Sequence, residues 1–234
     1  MRSIAIFSTL VLSATGLLAD TAQERLRDGA TVFTEIMGTP DKGIPQDLLR
    51  KAQCVVIVPG LKKGAFVVGG EYGRGFAMCR RPTGLGWGAP AAIRMEGGSV
   101  GFQIGGSSSD IVMLVMNQRG MDRLMSDKFT IGAEAAAAAG PVGRNAQAAT
   151  DLELHAEILT WSRARGAFAG ISLNGATMRP DEKSNQELYG QKLANREILA
   201  GNMAPPPEAR PLIAELEKYS PERPASGEAA REPR

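Results

Sequence analysis

Apolar and polar positions change their rhythm along the chain. Ala22, Leu26, Ala30, Phe33 and Met37 recur at helical spacing, with Glu24, Arg25, Arg27, Asp28 and Glu35 between them. Residues 21–37 are therefore predicted as an amphipathic helix, closed by Gly38 and Pro40. The polar face mixes both signs, whereas a helix that lies on anionic membrane is rich in Lys and Arg, so its apolar face is expected to pack against the domain. A short helix is predicted to start at Pro45 and run through Arg50. From Cys54 the texture becomes short β-rich runs punctuated by Gly, Pro and basic residues: 54–58, 65–68, 76–79, 91–95, 100–104 and 111–116. Six strands so closely spaced imply an antiparallel meander, because parallel neighbours require long crossovers. Asn117, followed by Met121, Leu124 and Met125, signals a capped helix.

Farther on, Ala133 to Gly140 has helical composition but is short and lies between Gly132 and Pro141, and its context favours a strand. Leu152, Leu154, Ala156 and Ile158 alternate with Glu153, His155 and Glu157, the pattern of a strand with one wet face. Residues 166–175 read as its partner and 181–201 as two helical pieces. Residues 202–234 carry Pro205-Pro206-Pro207 and Ser220-Pro221-Glu222-Arg223-Pro224. They are expected to be a Pro-rich, largely disordered tail with one short helix near 212–219. The fold class is α+β, an antiparallel sheet with flanking helices, in a single domain over 20–201 whose core is 41–190.

Composition sharpens this picture. With 234 residues, 43% hydrophobic, the chain can bury one full core. Only 5% are aromatic, against 28 Gly and 14 Pro, so the core must be Val, Ile, Leu, Ala and Met with many turns. The amino end has a basic Arg2, an apolar run from Ile4 to Leu18, and Ala19 before Asp20 and Thr21. Residues 1–19 are expected to be a cleaved signal peptide, because the apolar run falls short of the roughly 20 residues a membrane span needs. The mature protein is then periplasmic or secreted. In that compartment Cys54 and Cys79 can pair as a disulfide or stand as two buried thiols, and the sequence does not choose between them.

Residues 41–180 carry 16 Lys and Arg against 11 Asp and Glu, while the flanks are net acidic. Such a basic stretch can meet anionic lipid, although ordinary solvated charge reads the same way. The cations that stand beside Gly-rich turns or strand ends are Lys62, Lys63, Arg74, Arg80, Arg81, Arg163 and Arg165, and these are the candidate lipid-binding residues. Gly97-Gly98-Ser99-Val100-Gly101 fits G-x-S-x-G, but a strand rather than a helix is predicted to follow Ser99, and His155 is the only histidine to serve it. A serine hydrolase is the least favoured reading. Gly84-Leu85-Gly86-Trp87-Gly88-Ala89 reads as a hairpin loop with Trp87 packing back, not as a dinucleotide cradle. Glu153, His155 and Glu157 on one strand face fit salt bridges better than a metal. No cofactor, metal or nucleic-acid partner is expected.

Ordered motifs then link these segments: Ile57-Val58-Pro59-Gly60-Leu61-Lys62-Lys63-Gly64, Val68-Gly69-Gly70-Glu71-Tyr72-Gly73-Arg74-Gly75 and 98–106. They continue through Lys128-Phe129-Thr130-Ile131-Gly132, 139–144 and 162–170. Spread over about 140 residues, they resemble the SYLF domain, the Ysc84-type actin-binding family. The resemblance implies a strongly curved sheet or small barrel with flanking helices and no known enzymatic activity. It also implies phosphoinositide or membrane binding in eukaryotic members, with actin binding in some fungal ones. By position, the helix at 21–37 and Lys62 and Lys63 would inherit the lipid contacts. No SH3 or FYVE domain accompanies the motifs, and an exported protein would not meet actin. The leading expectation is a non-catalytic lipid-binding or membrane-associating module, and the alternative is a protein-interaction or envelope structural module.

Overall fold

The computed structural model describes residues 20–39, 43–65, 68–83, 86–100, 105–142, 156–164 and 167–220. Helix α1 (Ala22–Met37) is fixed at its start by a capping box: the Thr21 hydroxyl accepts from the Glu24 amide at 3.1 Å, and the Glu24 carboxylate accepts from the Thr21 amide at 2.8 Å. Helix α2 (Gln46–Lys51) follows, with Pro45 as its cap residue rather than its first helical one. Four long strands come next: β1 (Cys54–Ala65), β2 (Val68–Cys79), β3 (Ala91–Val100) and β4 (Gly105–Val115). The predicted runs 54–58, 76–79, 91–95 and 111–116 each fall on one of these strands, which extend farther because glycines that read as breaks lie inside ladders, while 66–67 and 101–104 of the other two runs lie outside the described residues. Helix α3 (Gln118–Leu124) is capped by Asn117, whose side chain accepts from the Gly120 amide at 3.0 Å.

Strands β5 (Phe129–Thr130), β6 (Ala137–Ala139), β7 (Ile158–Ala164), β8 (Ala167–Gly170) and β9 (Thr177–Pro180) complete the sheet among the described residues. Its order is β5-β9-β3-β2-β1-β4-β7-β6, with β8 paired to β7, and it curls strongly into a half-barrel. The pairings are antiparallel except β6 with β7, which is parallel. Helices α4 (Glu182–Tyr189) and α5 (Asn195–Leu199), a turn of 3-10 helix (Pro207–Ala209) and α6 (Arg210–Tyr219) follow.

Both faces of the sheet are covered, which is why β1 begins as an unbroken apolar run. Val55 and Ile57 face one layer with Leu26, Phe33, Ile36, Leu48, Leu212 and Leu216. Cys54, Val56 and Val58 face the other, with Phe129, Ile131, Ile198 and Leu199. The apolar side of α1 is therefore spent on the core: Leu26, Phe33 and Ile36 have no exposed surface. It is not the lipid-contacting surface that the resemblance implied. Helix α6 forms where expected, but Leu212 and Leu216 are buried, so residues 207–220 pack into the same unit as the sheet.

Candidate functional site

β1 is not a regular strand. Its register against both β2 and β4 slips around Pro59 and Gly60, and Gly60 adopts φ +60°. Such a bulge bends a strand and re-aims the side chains beyond it. Its partner strand accommodates it with glycine: a Cβ on Gly75 would stand 2.0 Å from the Ile57 carbonyl oxygen, and one on Gly73 2.6 Å from Leu61. The Gly60 amide donates to Asp110 Oδ1 at 2.9 Å, which ties the bulge to β4.

Beyond the bulge, residues of β1, β2, β4 and β7 and of the amino-terminal half of α1 line an open cleft of about 520 Å³. Lys62, Arg74 and Arg163 line it from the sheet, and Arg25 lines it from α1. Asp20, Asp28 and Asp110 supply carboxylates to the same walls. Tyr72 stands at the rim, 48% exposed, directly opposite Lys62 in the ladder.

A buried knot holds the floor. Arg74 Nε donates to Asp181 Oδ2 at 2.6 Å and its Nη2 to Ser184 Oγ at 2.9 Å, while Arg25 Nη2 donates to the same hydroxyl at 2.6 Å. Ser184 in turn donates to Asp181 Oδ2 at 2.8 Å. Two guanidiniums thus share one hydroxyl, which itself donates to the Asp181 carboxylate. Burial, and next the neighbouring Arg74 charge, lower the Arg25 pKa. For Asp181, burial pushes upward, but hydrogen bonds from Arg74 and Ser184 and the Arg74 charge outweigh it, and its pKa is lowered. On the opposite wall, Arg163 pairs with Asp110 at 2.7 Å and with Glu35 on α1. Asp28 differs from these: partial burial, then Asp20, Glu24 and Asp110, raise its pKa.

Three of the predicted cations, Lys62, Arg74 and Arg163, therefore converge. Lys63 alternates to the other face and pairs with Glu71 at 2.9 Å. Arg80 is corrected outright: it is 8% exposed, lies 4.1 Å over the Trp87 ring, and donates to the Ser220 carbonyl at 2.7 Å, so it is a core group and not a ligand contact. Arg81, outside the cleft, donates to the Trp87 carbonyl at 3.1 Å. Arg165, Glu153 and His155 lie outside the described residues. Cys54 and Cys79, opposite each other on β1 and β2, are joined as a disulfide. Ser99 lies in the β3 ladder opposite Gly69 rather than at a strand-to-helix turn. Sequence reasoning missed Arg25, Asp28, Asp110 and Tyr72 as cleft residues. It also missed that Arg74, Arg94 and Arg179 stand in register on three neighbouring strands, with Glu96 beside Arg94 at 3.2 Å and Arg179 at 3.7 Å. Among the described residues no helix is long and apolar enough to cross a membrane.

A family model described as Las17-binding protein actin regulator (Ysc84) matches residues 96–219, from β3 to the end of α6. Human SH3 domain-containing YSC84-like protein 1 is 34% identical over 191 residues, covering 80% of this chain and 55% of that protein. The chain belongs to the Ysc84 family. Another Ysc84 relative, LAS seventeen-binding protein 3 of Saccharomyces cerevisiae (strain ATCC 204508 / S288c), is 33% identical over 180 residues, covering 76% of this chain and 39% of that protein. The chain thus spans about half or less of the length of these relatives. They are named for an SH3 domain and for binding, not for a reaction. The Ysc84 family model takes in the part of the half-barrel from β3 onward together with helices α3 to α6.

Proposed function

We propose that this protein is an exported, non-catalytic module that associates with membranes by taking a phosphate-bearing lipid headgroup into the cleft between α1 and the bulged end of the sheet. The observation that carries this reading is the convergence of Lys62, Arg74, Arg163 and Arg25 on one open cleft beside the exposed Tyr72. Cationic side chains hold phosphate oxygens, and a tyrosine at a rim suits the interface between headgroups and acyl chains. The Cys54–Cys79 disulfide and the signal-like residues 1–19 support export to an oxidising compartment, periplasmic or secreted. Actin is set aside as a partner by that location.

Co-sedimentation of residues 20–234 with neutral and anionic vesicles across a salt series tests the proposal. Binding should weaken as salt rises. Lys62→Glu should reduce it several-fold, as a reversed charge at a phosphate contact does, while Lys63→Glu on the opposite face should change it little. Equal loss in both variants would point to a diffuse surface field instead of the cleft. A protein-interaction module is the second reading, favoured by relatives named for binding Las17. An open groove of about 570 Å³ beside α4 and α5, lined by Met125, Leu193, Lys192 and Arg196, offers it a place. Absence of binding to every vesicle, together with a crosslinked partner lost on Leu193→Asp, would favour that reading.

A further inference from the structure

Most of the charges in the cleft are already answered from within the protein. Arg74 is held by Asp181, Arg163 by Asp110 and Glu35, and both oxygens of Asp110 are used, one by the Gly60 amide and one by Arg163. Arg25 is capped by the Ser184 hydroxyl and the Asp20 carbonyl. Three charged side chains on the cleft wall remain without any hydrogen bond or ion pair among the described residues: Lys62 from the sheet, Asp28 from α1, and Asp20 just ahead of α1, of which Asp28 lies within the helix. Lys62 is opposite in sign to the two carboxylates. The three do not neutralise one another, although they line the same opening.

A purely anionic headgroup would answer Lys62 and leave Asp28 facing Asp20, Glu24 and Asp110 with one more negative charge nearby. A purely cationic ligand would answer Asp28 and meet Lys62, Arg74 and Arg163. A small zwitterion that carries a phosphate and an amine satisfies both at once. We infer that the cleft selects an amino-phosphate headgroup of the phosphoethanolamine type, with its phosphate oxygens on Lys62 and its ammonium on Asp28. This rests on the lipid reading above for its membrane setting, but the recognised chemistry is shared by the lipid and by the free phosphate ester. An ethanolamine ammonium keeps three N–H donors for a carboxylate, whereas a choline nitrogen has none, so discrimination between these two zwitterions follows from hydrogen bonding.

The test uses phosphatidylcholine vesicles doped with equal amounts of either phosphatidylethanolamine or phosphatidylglycerol, alongside titration with soluble O-phosphoethanolamine followed by NMR. The chain should bind the ethanolamine vesicles more tightly, by about fivefold, the advantage a partly exposed ion pair supplies. Asp28→Asn should erase that preference without weakening glycerol-lipid binding, and Asp28→Glu should restore it. Lys62→Gln should weaken binding to both vesicles. Asp28 is exposed on α1, so these changes leave the core intact, and an unchanged thermal melt checks this. Equal or tighter binding to the glycerol lipid, or a preference that survives Asp28→Asn, overturns the inference while leaving the lipid reading standing. Loss of all vesicle binding with Asp28-dependent shifts from O-phosphoethanolamine overturns the lipid reading and keeps the site. No response in either arm overturns both.

Discussion

At the scale of single residues, Asp181 anchors the hydrogen-bonded knot beside the cleft. It is 5% exposed and receives Arg74 and Ser184, so its charge is stabilised by partners that the unfolded chain does not provide. Its pKa in the folded protein lies below the ordinary aspartate value of about 3.9. The stability it contributes is therefore present above that ordinary value and lost as pH falls through the lowered one. Asp181→Asn should destabilise the protein by about 3 kcal/mol, the low end for a broken buried pair because Arg74 keeps some solvent. It should also flatten the acid side of a urea-midpoint profile against pH. Gly75→Ala makes a different demand. A methyl group 2.0 Å from the Ile57 carbonyl cannot be accommodated without moving the bulge, so thermal melting should fall sharply and Asp110 should lose its amide donor.

At the scale of elements, helix α6 is the one whose role exceeds what its sequence announces. Its periodicity around Leu212 to Tyr219 is legible, but its Pro-rich approach reads as linker, and only the fold shows it seated on α1, with Tyr219 edge-on to Phe33 at 6.2 Å. Leu216→Ala should cost about 2–5 kcal/mol, as buried Leu truncations do, measurable by chemical denaturation. α1, the Asn117-capped α3 and the β runs were legible because each is written in local spacing. The cleft was not. Arg25 reaches Ser184 across 159 positions, and Arg80 is buried by Ser220 across 140, so no window along the chain contains either relation. Pro59-Gly60 read as the end of a strand because a bulge and a turn draw on the same residues. Lys62 was legible as a candidate, but separating it from Lys63 required knowing that both continue one strand beyond the bulge.

At the scale of the whole molecule, a curled sheet covered on both faces leaves its open end as the place where charged groups can gather. The disulfide crosslinks the two central strands at the opposite end of the hairpin from its turn, where Cys54 faces Cys79. Closing that loop should stabilise the fold by about 3 kcal/mol. Reduction should lower the melting temperature while leaving vesicle binding at room temperature intact, because the cleft side chains lie beyond the bulge. A loss of binding on reduction, before any loss of circular dichroism, would show instead that the crosslink sets the cleft.

The seat of α6 on α1 also has a kinetic meaning. Phe33 and Tyr219 touch only after nearly the whole chain between them has been made, so α1 emerges early with an apolar face and waits for its cover. Contacts this distant in sequence slow folding, because the loop must close before the contact repays it. A chain built this way stays incompletely packed until α6 has been made.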